Sequence, residues 1–423
     1  MRSWSAPTVP ALPPVPESLE LYDTPRGATV STTSTQGIAS LYVCGITPYD
    51  ATHLGHANTY VHFDILVRYW RACGLDVQYV QNVTDIDDPL LERATETHVD
   101  WRELAESQTQ LFREDMTALG VIPPDHFVGA VEMIPAVVED VEQLLVRELA
   151  YPVPAADAVG DDYYFDVSAA EQSTGWRLGS IGAYDRSAME ELFPQRGGDP
   201  DRPGKRDPLD PLLWRAARDG EPQWPGGQLG EGRPGWHIEC SVIARRHLPA
   251  PFTVQGGGSD LRFPHHEFSA AHATAADGKP LAEGYMHTGM VGLTGEKMSK
   301  SRGNLVLVSQ LRARGTDPQV IRVLILSNHW RVDWSYTETA LKAAGDRLAS
   351  WQSALQDTAE QPGHSASPGD LQYALMSALA GDLNSPAALD TLDLWAAGHL
   401  AASASATEVR EVVLALLGID LAV

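Results

Sequence analysis

The sequence predicts an α/β chain: a parallel sheet flanked by helices, broken by an insertion and followed by a C-terminal helical region. Three observations predict it. Residues 37–88 read strand, helix, strand, and a βαβ unit this short implies parallel pairing. Residues 151–235 are rich in glycine, proline and aspartate, the residues that punctuate turns. Beyond Thr339 the pattern becomes Ala/Leu-rich helix.

Each element follows in order. The first residues, MRSWSAPTVPALPPVPESLELYDTP, lack a long apolar core; their prolines suggest a loose leader, not a signal peptide. GIASLYVCG is an apolar, β-branched run closed by glycine, as expected of a buried strand. ANTYVHFDILVRYWRAC is apolar with helical period and stops at Gly74, a glycine C-cap signal. DVQYVQNVTDIDD reads as a second strand running into an acidic turn. ELAESQTQLFREDMTAL and AVVEDVEQLLVREL read as helices, and 151–235 as short strands and loops. Sheet character returns with PFTVQGGGSD, helix with FPHHEFSAAHATAA, and EGYMHTGMVGLTGEKMSKSRGN runs from strand into loop. The expected division is 1–37 leader, 38–125 first half of the sheet domain, 126–229 insertion, 230–300 second half, 301–340 loop and linker, and 341–423 helical domain.

Composition narrows the function. The 423 residues are 43% hydrophobic and 21% charged, with formal net charge −25, the profile of a globular chain whose surface repels polyphosphate. From Lys342 onward three basic residues face ten acidic ones, a poor platform for RNA. Three cysteines exclude a disulfide scaffold and fit a reducing cytosol, so a cytoplasmic location is expected. No apolar run reaches the ~18 residues a membrane span needs.

Two short segments carry chemistry. His53-Leu54-Gly55-His56 opens the first helix. Alone it reads first as two surface histidines and, as the alternative, as a phosphate site, using the free amides and dipole of a helix start. Lys297-Met298-Ser299-Lys300-Ser301 lies on a loop flanked by Gly295 and Gly303. A solvated basic loop is the plain reading, but only five of the 31 basic residues are lysine, and two ammoniums with two hydroxyls suit a leaving pyrophosphate. Both segments together, in this order on a βαβ frame, resemble the two signatures of class I aminoacyl-tRNA synthetases, the first with Leu54 where isoleucine is usual. That resemblance implies a class I synthetase-type Rossmann (HUP-like) parallel sheet, and ATP with Mg2+ as co-substrate. It places His53 and His56 by the α-phosphate and Lys297 and Lys300 by the β- and γ-phosphates.

Cys44 ends the first strand, Cys240 lies in GRPGWHIECS and His265 opens FPHHE. Their spacing alone leaves buried structural thiols as the default. The position of Cys44 at the C-terminal end of a parallel strand raises the alternative of a metal, since such sheets build sites there. The words CGITPYDATHLGH, YVQNVTDIDD, RDPLDPLLW, GRPGWHIECS, GGGSDLRFPHHE and GEKMSKS resemble the cysteinyl-tRNA synthetase family from about Leu41 past Ser301. That resemblance implies one zinc ion that grips the substrate thiol, held here by Cys44, Cys240 and His265. The family's fourth ligand, a glutamate, falls on Ser269, and Glu267 is too near His265 to replace it. It also implies that Gly45, Ile46, Thr47, Thr59, Asn82, Val83, Thr84, Trp236, Gly258, Ser259, Asp260 and Val291 join Cys44 around the cysteinyl-adenylate. Trp236 reads as a pocket wall or as core, Asn82 and Thr84 as short polar groups at a strand end, and Gly256–Gly258 as room for a nucleotide to approach.

Three departures point to a paralogous branch: Ser269, the short acidic region after the lysine loop, and Gln195-Arg196-Gly197-Gly198-Asp199-Pro200. The last is either a flexible loop or a variant of the ERGGDP signature of the ligases of mycothiol biosynthesis. That resemblance implies ATP-dependent joining of L-cysteine to the 2-amine of glucosaminyl-inositol, without tRNA or membrane, by a monomer. Asp260, in the GGGSD turn, is the expected base for the amine. The alternative is a shortened cysteinyl-tRNA synthetase.

Overall fold

The centre of the fold is β1 (Ile38–Ile46), buried along nearly its whole length. Burial on both faces needs helices on both sides, and this explains why its sequence is almost continuously apolar. The computed structural model describes residues 1–32, 37–293, 296–297, 305–360, 368–400 and 405–422. β2 (Asp76–Val83), β3 (His126–Gly129), β4 (Phe252–Gly258) and β5 (Ala282–Thr288) complete one sheet of order β5-β4-β1-β2-β3. All four pairings are parallel. Read from its edge the order is 3-2-1-4-5, the Rossmann arrangement, and the strand order reverses between β1 and β4.

α1 (Leu54–Ala72) carries the chain from β1 to β2 and ends before Gly74, whose φ is +83°. Glycine takes that left-handed turn without strain. α1 packs so closely on β4 that a Cβ at Gly256 would lie 2.1 Å from the Phe63 ring. On the opposite face lie α2 (Trp236–His247) and α3 (His265–Asp277), with Ile238, Val242, Phe268 and Ala271 packed into one cluster with Ile134, Val137 and Val141 of the Ala130–Val146 helix.

Two boundaries differ from the sequence expectation. His126–Gly129, expected to open the insertion, pairs with β2 as the sheet edge. At four residues it is too short to show a period. The insertion proper builds a four-stranded antiparallel sheet from Ala150–Pro154, Asp161–Phe165, Leu212–Ala216 and Gly232–Pro234. The leader is not loose. Its prolines prevent helix, yet Trp4 is buried edge-on to Phe112 and Phe127 and donates its indole N–H to the Val121 carbonyl at 2.8 Å. Glu20–Asp23 and Ala28–Ser31 form a hairpin.

The helices Glu338–Glu360, Pro368–Ala380, Ser385–Ala396 and Ala406–Leu417 share a single apolar core with α1. A buried ion group fastens them. Asp64 accepts from Arg68 at 2.7 Å and from Arg322. Arg68 donates onward to the Leu414 and Gly120 carbonyls, both at 2.8 Å, and Arg322 to Leu417 at 2.7 Å and Leu119 at 2.9 Å. The last turn of the final helix is thus capped by guanidiniums from elsewhere in the chain. Among the described residues no helix is long and apolar enough to cross a membrane.

Candidate active site and metal centre

The site lies where β1 and β4 part, at their C-terminal ends. A bulge between Val43 and Ile46 ends the regular β1–β2 register. Gly45 sits there because a Cβ would fall 1.5 Å from the Asn82 carbonyl oxygen. Asn82 fixes the bend, accepting the Gly45 amide on Oδ1 at 2.6 Å. Thr47 and Thr84 share a 2.8 Å hydroxyl contact beside it. Ile46 and Val83 are buried in the strands beneath.

The bend presents Cys44 to α2 and α3. Ligand atoms of Cys44, Cys240 and His265 lie within 4.8 Å of one another, and all three residues are buried. Trp236, half-buried, stacks on His265 with ring centres 4.4 Å apart, so it walls this trio. Burial, then the neighbouring Cys44, pushes the Cys240 thiol well above its usual range. Two soft sulfurs and an imidazole, buried without a cation, are costly as thiolates. A dication reverses that cost, and this donor set suits zinc with one position open. Ser269 stands outside the trio, bonded to Gln255 and the His266 carbonyl. Glu267 faces the other way and accepts from the Trp176 indole and the Ile181 and Gly182 amides of the insertion. Burial nonetheless lifts it to about 7.

Around the trio stand residues that sequence reasoning missed. His266 Nε2 meets the Cys44 sulfur at 3.1 Å, His266 Nδ1 meets His287 at 2.7 Å, and His287 meets the Thr24 hydroxyl at 2.7 Å. If the sulfur is a thiolate it can only accept, so every N–H in this chain must point toward Cys44. His237 Nδ1 lies 3.2 Å from His265 Nδ1. The only available signal was the repetition of histidine beside candidate ligands, in GWHIEC and FPHHE.

The start of α1 differs in detail from its expected role. His53 is the N-cap, and its Nδ1 accepts the Gly55 and His56 amides at 3.1 and 3.3 Å. The Leu54 amide goes to the Val306 carbonyl and the Ala57 amide to His53. No first-turn amide is left open. His53 and His56 stack at 3.7 Å. Burial pulls His53 down to about 4 and His56 well below its usual value. Both are therefore neutral, and because His53 Nδ1 accepts, its proton is on Nε2. Gly55 serves this cap, since a Cβ there would lie 2.8 Å from the His53 ring. Thr59 on the same helix bonds Thr288 at 2.8 Å, and Val291 is buried nearby in sequence.

Lys297 belongs to a short strand paired with Gly292, while Lys300 lies outside the described residues, as do Met298 to Asn304. The segment after them returns to α1, where the Val308 amide bonds the Thr52 carbonyl at 2.9 Å. Asp260 is exposed in the Ser259–Arg262 turn, and a Cβ at Gly258 would lie 2.5 Å from its Oδ1.

Residues 30–346 match the family of tRNA synthetases class I (C) catalytic domains. An L-cysteine:1D-myo-inositol 2-amino-2-deoxy-alpha-D-glucopyranoside ligase of Micrococcus luteus is 60% identical over 426 residues, with 100% of both chains covered. One from Kocuria rhizophila is 56% identical over 443 residues, again covering 100% of both. This chain belongs to that ligase family. In the structure of Mycobacterium tuberculosis methionyl-tRNA synthetase bound by methionyl-adenylate, 92% of that chain superposes on 90% of this one, with TM-score 0.62 and 16% identity. At that identity the likeness establishes the class I fold alone. The ligase family is thus a branch of the class I synthetases, and this chain is an ATP-dependent ligase.

Proposed function

We propose that this ligase joins L-cysteine to the 2-amino group of glucosaminyl-inositol through a cysteinyl-adenylate, releasing pyrophosphate and then AMP, in mycothiol biosynthesis. The observation that carries the reading is the buried Cys44–Cys240–His265 trio at the strand-order reversal that also holds His53 and His56. One part of the site suits a thiol and the other a nucleotide phosphate.

In the first step a cysteine carboxylate oxygen attacks the α-phosphorus of ATP, and the bond to pyrophosphate breaks. Neutral His53 donates from Nε2 to the α-phosphate oxygen, with His56 stacked behind it. Lys297 and Lys300 neutralise the β- and γ-phosphates of the magnesium nucleotide. Cys44, Cys240 and His265 hold zinc, which when bound supplies a Lewis-acid position for a substrate thiolate that serine and alanine cannot match. Trp236 walls the amino-acid pocket, and the Gly45 bend sets the depth of Cys44. Thr47, Thr59, Thr84, Gly258, Ser259 and Val291 line the adenylate. In the second step the neutral sugar amine attacks the acyl carbonyl, the bond to AMP breaks, and the amine proton passes to Asp260. The enzyme works as a cytoplasmic monomer.

The test incubates the enzyme with ATP, L-cysteine and either glucosaminyl-inositol or cysteine tRNA. A cysteinyl amide of the sugar identified by mass, with stoichiometric AMP, is expected. Charged tRNA without that amide reverses the reading.

A further inference from the structure

The QRGGDP segment reaches the turn that carries Asp260. Arg196 ends the Arg186–Gln195 helix of the insertion. Its Nη1 donates to the Asp260 carbonyl at 2.6 Å and also to the Phe263 carbonyl. These acceptors lie within and just beyond the Ser259–Arg262 3-10 turn, where helix-end carbonyls need partners from outside the turn. One guanidinium nitrogen therefore bridges both sides of the short connection between β4 and His265.

The rest of the segment fixes Arg196. Gly197 has φ +86°, a left-handed conformation open to glycine. Gly198 packs where a Cβ would lie 2.5 Å from the Phe193 ring, and its amide bonds the Phe193 carbonyl at 2.9 Å. Asp199 accepts from Tyr164 and, at 3.0 Å, from Lys205, whose side chain is 2% exposed. Arg196, Gly198 and Asp199 are thus held by the insertion, and the Arg196 guanidinium reaches across to the Asp260 turn, which Arg262 also ties to the insertion through the Gly182 carbonyl at 2.6 Å.

We infer that Arg196 is a positioning residue for the second half-reaction: it holds the Asp260 turn so that the carboxylate meets the incoming sugar amine. The inference rests on the function proposed above and on Asp260 as its base. The same contact explains why an insertion remote from the nucleotide bears a segment characteristic of an amine-accepting branch.

Two half-reactions separate the possibilities. Cysteine-dependent ATP–pyrophosphate exchange reads adenylation, and single-turnover transfer from enzyme-bound cysteinyl-adenylate to glucosaminyl-inositol reads amide formation. In Arg196→Ala, transfer falls about 10- to 100-fold, the scale of a catalytic group displaced by about 1 Å, while exchange stays within about twofold. Arg196→Lys, which keeps a donor for both carbonyls, recovers most of the transfer. Adding Arg196→Ala to Asp260→Asn lowers transfer by less than about twofold further, because both changes remove one function. Equal losses in both half-reactions, additive losses, or undiminished transfer overturn the inference. A wild-type enzyme that forms adenylate but acylates no sugar amine instead overturns the proposed function on which it rests.

Discussion

His53 shows how one side chain changes the account of a whole segment. Its sequence context suggested open helix amides waiting for phosphate, but its own Nδ1 occupies two of them. It works as a neutral donor, protonated only as pH falls toward about 4. Adenylation therefore shows no gain from a cationic His53 between pH 7 and 5. An exchange profile with an inflection near 6.5 that vanishes in His53→Asn contradicts this. The metal trio makes the companion prediction. Cys240→Ala leaves two protein donors, so it loses zinc by elemental analysis and exchange falls by about two orders of magnitude. Cys44, Cys240 and His265 were legible through the family words that carry them and through the place of Cys44 at a strand end, not through their spacing. The chain from His266 through His287 to Thr24 was not, because those residues come from three separate elements and no local period joins them. The same holds for Arg196, legible as part of a signature but not as a contact.

At the scale of elements, α1 was plain from its period and its glycine stop, whereas β3 was hidden by its length. The Gly55 position makes the consequence of α1's start testable. Alanine inside a helix is ordinarily favoured over glycine by about 1 kcal/mol, but here a Cβ meets the His53 ring at 2.8 Å. Gly55→Ala is expected to leave Tm nearly unchanged and cut ATP–pyrophosphate exchange at least about tenfold by displacing that ring. A parallel fall of both argues that Gly55 serves folding alone. α3 shows a division of labour along one helix. His265 and His266 face the metal side, while Glu267 grips the insertion through three donors. This accounts for a glutamate two residues from His265, about half a turn around the helix, that takes no part in the metal site.

At the scale of the molecule, the expected separate helical domain shares its core with α1. Sequence showed the helices but not their partner, because a helix's apolar stripe does not say what covers it. The Asp64 group joins the two. Burial pushes Asp64 up, but Arg68 and Arg322 more than offset this and hold it below the usual carboxylate range. Its folded value is depressed, so the stabilisation is present at neutral pH and is lost as pH falls through that range. Asp64→Asn leaves two buried guanidiniums without their carboxylate and costs about 3–5 kcal/mol in urea unfolding at pH 7. The gap from wild type narrows toward pH 3; a constant gap tells against the ion group. The acidic surface carries its own expectation: with net charge −25, cysteine tRNA at low salt shows no saturable binding in a filter assay.

Arg68 finds its Leu414 acceptor 346 positions later in the chain. Ribosomes add about 5–20 residues per second, so a nascent chain spends roughly 20–70 s with that charge in place and its acceptor not yet made. That buried contact of the catalytic helix can close only after residue 414 has been made.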